Sequence, residues 1–207
     1  MKKRTAIIKR KTRETDIAVK LNIDGSGKSK INTGIGILNH MLELFVFHGL
    51  FDLEITAKGD LRVDIHHTNE DIGIVLGEAF KKALGDKKGI RRFSSVSVPM
   101  EEVVANVTID ISGRPFFKFA GIEGKIAGEI FAVGTAKEGY SLNDATHFLE
   151  SLAKHIGMNL NVIVKPMNYD LHTTLEPVFK ALGIALDQAT QIDPRRNGVP
   201  STKGIID

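Results

Sequence analysis

Asp64-Ile65-His66-His67-Thr68-Asn69-Glu70-Asp71 gathers two imidazoles and three carboxylates into eight residues. It opens a segment whose apolar residues Ile72, Leu76, Ala79 or Phe80 and Ala83 recur at helical spacing. On a helix, residues four apart share a face, so His66 and Glu70 point the same way, with His67 and Asp71 beside them. Two imidazoles and a carboxylate at a helix start are competent to bind a divalent metal. The same stretch also suits a helix without metal, because carboxylates are favoured at the positive end of the helix dipole.

The rest of the chain favours the metal. From His40 it reads HMLELFVFH, and from His147 it reads HFLESLAKH, with His48 and His155 each closing the run. His66 follows His40 by 26 residues and His172 follows His147 by 25. Glu70 and Glu176 each stand four residues after their histidine, and a similar amphipathic run follows each. An offset of about 107 residues therefore relates two halves, and all seven histidines fall inside the repeat. A duplicated unit whose copies face each other across a pseudo-two-fold is the economical reading.

The elements that must position these residues follow from pattern. Residues 4–23 read as two strands around an Arg13-Glu14-Thr15 turn, closed by Asp24-Gly25-Ser26-Gly27. A helix is expected over Ile37–His48, strands over Phe51–Ala57 and Leu61–Asp64 joined by Lys58-Gly59-Asp60, and a helix over His67–Leu84. The second half predicts strands at Phe93–Val98, Val103–Ile111 and Phe116–Phe119, then a Gly-rich loop over 121–143. A helix over Asp144–Ile156, a strand over Asn159–Lys165 and a helix over Leu171–Thr190 complete it. The expected units are residues 1–92 and 93–207. The polar tail lacks periodicity and reads on its own as disordered.

Composition excludes several classes. The chain has 207 residues, 42% of them hydrophobic, enough for a sizeable core. No apolar run approaches the roughly 18 residues of a membrane span, and no cleavable signal pattern is seen. With no cysteine there are no disulfides, zinc–thiolate sites or thiol nucleophiles. A cytoplasmic location fits. Net charge is only +3, yet Lys2, Lys3, Arg4, Lys9, Arg10, Lys11 and Arg13 cluster. A nucleic-acid patch would interleave aromatics, so a solvated strand edge is the better reading and no nucleic-acid or membrane partner is expected. Residue chemistry alone thus reaches two α+β repeats that bring His and Glu to a shared metal site.

The segments TRET at 12–15, TGIGILNHML at 33–42, HGLFDL at 48–53 and GDLRVDIHHTNEDIGIVLGEA at 59–79 carry a resemblance. So do GIRRF at 89–93, SGRPF at 112–116, EPVFKAL at 176–182 and PSTKG at 200–204. Together they resemble the imidazoleglycerol-phosphate dehydratase family of histidine biosynthesis. The resemblance implies an internally duplicated α+β fold similar to a ribosomal-protein domain, with helices on one face of each sheet. It implies a homo-oligomer of trimers in a 24-subunit shell, intersubunit active sites, and two Mn²⁺ per site. The implied reaction removes water from imidazoleglycerol phosphate to give imidazole-acetol phosphate. By resemblance, His40, His67 and Glu70 belong to one metal site, and His66, His172 and Glu176 to the other. Glu14 and Glu176 are the implied catalytic carboxylates, with Glu14 moving the substrate's protons. Arg92, Arg114, Ser201, Lys203 and, more weakly, Lys180 match the phosphate-binding set. The tail should then order over substrate.

Departures accompany the match. Thr173 stands where a second ligand histidine is expected, and Asn161 replaces a histidine on the preceding strand, with one extra residue in the loop that follows. Asn39 replaces an aspartate, Ser94 a glycine, and 121–143 matches poorly. Water or the Asn161 oxygen would fill the gap, since manganese accepts oxygen donors. The alternative is an impaired paralogue that keeps the shell and partial metal binding. His147 and His155 belong to the repeat but not to the family motif, and read as helix-face residues.

Overall fold

The computed structural model describes residues 3–121, 139–168 and 170–206. Two four-stranded sheets share one topology. In the first, β1 (Thr5–Lys11), β2 (Thr15–Asn22), β3 (Ser29–Asn32) and β4 (Asp52–Gly59) lie in the order β1-β2-β4-β3. In the second, β5 (Phe93–Met100), β6 (Val103–Asp110), β7 (Phe116–Ala120) and β8 (Asn159–Lys165) lie in the order β5-β6-β8-β7. In each sheet one edge strand, β3 or β7, pairs parallel to its neighbour and the other pairings are antiparallel. Helices α1 (Gly36–Gly49) and α2 (His66–Leu84) belong to the first half, α3 (Leu142–Ile156) and α4 (Leu171–Thr190) to the second.

Alternation sets which face is covered. β2 and β6 show the same inward-outward pattern, with Ile17, Val19 and Leu21 matched by Ala105, Val107 and Ile109 in the core. The helices cover that inner face. Beyond their own sheets they pack across the pseudo-two-fold, α2 on α3 and α1 on α4, so a single core spans both halves. Glycines permit these crossings. A Cβ at Gly73 would lie 2.8 Å from the Phe148 carbonyl oxygen, and one at Gly77 2.9 Å from that of Leu152. At the other crossing, a Cβ at Gly183 would lie 2.3 Å from the Phe45 oxygen.

Both histidine helices begin in the same way. Asp64 Oδ1 accepts the His66 N–H at 3.0 Å, and Asp170 Oδ1 accepts that of His172 at 3.2 Å. Each aspartate satisfies a first-turn donor that the helix cannot, and so fixes the turn that presents its histidine. Ser141 and Asp144 cap α3 reciprocally.

Four expectations need correction. β3 exists, although Ile31 is its only apolar residue. β4 runs unbroken through Lys58 to Gly59, and residues 61–64 form no strand. Gly59 ends the strand because Thr68 packs over it, where a Cβ would lie 1.9 Å from Thr68 Oγ1. The 121–143 reading falls mostly on 122–138, outside the described residues, and Leu142 already starts α3. The tail is knitted to the segment joining the halves. Arg92 N–H donates to the Ala189 carbonyl at 2.8 Å, Asp193 N–H to that of Gly89 at 2.8 Å, and Gly89 N–H to that of Gly198 at 3.0 Å.

Candidate metal centre and active site

Because α1 packs on α4, His40 meets the first turns of that helix. His172 Nε2–H donates to Glu176 Oε2 at 2.8 Å, and His40 Nε2 stands 3.7 Å from the same oxygen. The two rings stack, with centroids 4.9 Å apart. His40 Nε2 is buried without a hydrogen-bond partner among the described residues. A buried ring nitrogen facing an imidazole and a carboxylate, with no thiolate nearby, fits a divalent cation with nitrogen and oxygen ligands. Burial pushes the Glu176 carboxyl up, but Lys180, 2.5 Å from Oε1, and His172 outweigh it, leaving the group below its ordinary value. Burial and then the Lys180 ammonium hold His48, on the same helix pair, below the usual imidazole value.

The pseudo-two-fold places His66 between His147 and Glu70 where α2 packs on α3. His147 Nδ1 lies 3.2 Å from His66 Nδ1, and Glu70 Oε2 lies 3.7 Å from His66 Nε2. His147, expected as a helix-face residue, thus faces the His66 ring across the crossing. The local HFLES motif does not say so; its place at the His40 position of the repeat does. His155 behaves as expected of a helix face, with Nδ1 on the Ser151 carbonyl at 2.8 Å.

His67 points elsewhere, to Asp60 Oδ2 at 3.4 Å and Glu14 Oε2 at 3.7 Å. The hydrogen bond to Asp60, then the Glu14 charge, raise its pKa. Asp60 was not singled out by motif. It falls one residue after β4, where the chain turns beneath the β1–β2 turn that carries Glu14. The trios implied by the resemblance, His40 with His67 and Glu70, and His66 with His172 and Glu176, are not assembled within one chain among the described residues.

Two departures acquire a structural meaning. Thr173 is buried and its hydroxyl donates to Asp170 Oδ2 at 3.1 Å, so it braces the start of α4. Asn161 alternates with buried Leu160 and Val162 and so faces away from the helices; its oxygen does not fill a ligand position in this chain. The phosphate candidates divide. Arg92 grips Asp110 through two bonds, 2.6 and 3.0 Å, and donates to the Pro200 carbonyl at 2.9 Å. Arg114 and Lys203 are exposed cations, and Ser201 Oγ accepts the Lys203 N–H at 3.2 Å. Of the basic N-terminal residues, Arg4, Arg10 and Lys11 are paired with Asp24, Asp71 and Asp16.

A family model described as imidazoleglycerol-phosphate dehydratase matches residues 33–186. The chain belongs to the imidazoleglycerol-phosphate dehydratase family. It is 51% identical to the enzyme of that name from Geobacillus sp. (strain WCH70) over 203 residues, 98% of this chain and 99% of the relative. It is 52% identical to that of Thermoanaerobacter pseudethanolicus over 98% of this chain and the whole of the relative. A crystal structure of the Pyrococcus furiosus dehydratase in complex with (S)-C348 is similar at a TM-score of 0.78 and 34% identity, covering 96% of this chain and 99% of that one. The dehydratase fold therefore extends over both halves. Nothing in these likenesses favours an impaired paralogue of the dehydratase.

Proposed function

We propose that the chain is a hydro-lyase that converts imidazoleglycerol phosphate to imidazole-acetol phosphate in histidine biosynthesis, with Mn²⁺ as its metal. The observation that carries the reading is the convergence of His40, His172 and Glu176, with His147 facing His66 across the other helix crossing, in a chain of this family. Nitrogen and carboxylate donors without thiolate suit manganese. When bound, the metal supplies Lewis acidity that stabilises negative charge on an imidazole ring.

The chain's own residues supply the rest. Glu14, in an exposed turn beside His67, is placed to move a proton to or from substrate carbon or oxygen. Lys180 keeps Glu176 anionic and so keeps it a ligand. Arg114, Lys203 and Ser201 offer charge and hydrogen bonds to a phosphate dianion, with Arg92 holding the tail that carries two of them. His67 and Glu70 lie apart from His40 within one chain. In this reading the ligand sets implied by family membership are completed between copies, in a cytoplasmic homo-oligomer built from trimers. No described helix is long and apolar enough to cross a membrane.

The test is bound manganese per subunit, together with turnover of imidazoleglycerol phosphate followed by mass spectrometry. Near two metals with loss of water is expected. Metal-free protein that stays inert when manganese is supplied overturns the reading.

A further inference from the structure

The turn that carries Glu14 is tied to the metal helix by a directed chain of hydrogen bonds. Thr15 Oγ1–H donates to Asp71 Oδ2 at 2.5 Å, because an ionised carboxylate only accepts. Having spent its proton there, the Thr15 oxygen accepts the Thr12 hydroxyl at 3.1 Å. The Thr12 oxygen in turn accepts the N–H of Glu14 at 3.1 Å and of Thr15 at 2.9 Å. Arg10 Nε holds the other Asp71 oxygen at 3.0 Å, and the Asp71 side chain is only 13% exposed. Every proton in the chain has one assignment, and such chains reinforce one another in a low-dielectric setting.

The second half acts as an internal control. Strand register places Val98 at the Arg10 position and Val103 at the Thr15 position, and the helix offset places Pro177 at the Asp71 position. The fold is thus built at this junction with an entirely apolar trio. Val103 is fully buried there, as Thr15 nearly is. The polar trio is not required to close the sheet onto the helix. It occurs only in the half whose turn presents a carboxylate to a histidine.

We propose that Asp71 and Thr15 are positioning residues that hold the Glu14 turn in register with His67, a role that rests on Glu14 being the proton-moving carboxylate. The experiment uses the full-length, manganese-loaded protein. Thr15→Val, the residue the second half itself uses, is expected to keep wild-type metal content and KM while kcat falls about 10- to 100-fold, the penalty typical of a misplaced acid–base group. Thr15→Ser restores kcat. Arg10→Val, also taken from the second half, shows a smaller loss in the same direction and guards against a folding defect in the first variant. Hydrogen–deuterium exchange over residues 12–16 is faster in Thr15→Val, a readout that does not depend on turnover. Wild-type exchange in Thr15→Val overturns the proposed tether. Faster exchange with an unchanged kcat in an active enzyme overturns the link to Glu14. An inactive wild type with the tether intact would instead count against the assigned reaction.

Discussion

Gly183 sets how closely α1 and α4 approach, and Gly183→Ala tests whether that closeness is necessary. The added Cβ would stand 2.3 Å from the Phe45 carbonyl oxygen and 3.1 Å from Gly49 N, where ordinary contact begins at 3.4 Å. These obstacles are backbone atoms, so no rotamer change relieves them. The helices must part by about 1 Å at the crossing. Overpacking of this kind costs about 1–3 kcal/mol, offset by about 1 kcal/mol gained when alanine replaces glycine in a helix. With a backbone obstacle the cost lies at the upper end, and a net loss of about 2 kcal/mol corresponds to a fall in Tm of about 4–8 °C for a chain of this length. Thermal unfolding of the metal-free protein by circular dichroism measures it. Gly198→Ala is the control, since Gly198 is exposed with nothing within 4 Å of an added Cβ. The stacked His40 and His172 rings ride on the same helices further along, so metal retention also falls, though less than about tenfold. A Gly183→Ala protein that melts with the wild type refutes the argument that close backbone approach organises this pair.

Three further outcomes are expected. His147→Ala lowers bound manganese as severely as His40→Ala does, measured by elemental analysis after gel filtration; retention of full metal would return His147 to the helix face. Thr173→Val leaves metal content unchanged and costs about 0.5–1.5 kcal/mol in denaturant unfolding, the worth of its hydrogen bond to Asp170. Burial raises the Asp187 pKa above its ordinary 3.8 despite help from Gln191 and Arg4, so its ionised form is disfavoured in the folded state. That cost is absent below pH of about 3.8 and fully present above the raised value, so Asp187→Asn should raise Tm at neutral pH and not at pH of about 3.

Much of the fold was legible because local causes govern it. The bounds of α4 and β8 follow from apolar periodicity and from Asp170 at the cap, and the structure places them where the pattern does. β3 was missed because a four-residue edge strand in parallel pairing is set by its partner β4, across the whole of α1. The break read at Lys58-Gly59-Asp60 failed for a related reason. Gly59 is there for Thr68 to pack over, a contact between strand and helix that turn statistics do not register. At the site, the spacing His66–Glu70 and His172–Glu176 disclosed the helical pairs directly. Their neighbours across the helix crossings, His147 and His40, come from the other half; the resemblance also names His40, whereas only the repeat points to His147. The bonds of Arg92 to Asp110 and Pro200 cross 18 and 108 positions, contacts that no local motif discloses.

The crossing of the halves bears on why the duplication is fused. The tighter trio takes His40 from the first half and His172 and Glu176 from the second. Its counterpart takes His147 from the second and His66 from the first. Neither half holds all the residues of either cluster. A single ββ-β-α-β-α unit could fold its sheet but would lack the group formed by His40, His172 and Glu176, which needs a helix from each half. Packing α1 on α4 brings His40 to His172 and Glu176, and packing α2 on α3 brings His147 to His66, through the same contacts that close the hydrophobic core. Core formation and the meeting of these histidines are one event in this chain, so a core change at either helix crossing is expected to shift the His40–His172 or His66–His147 contact as well as the melting temperature.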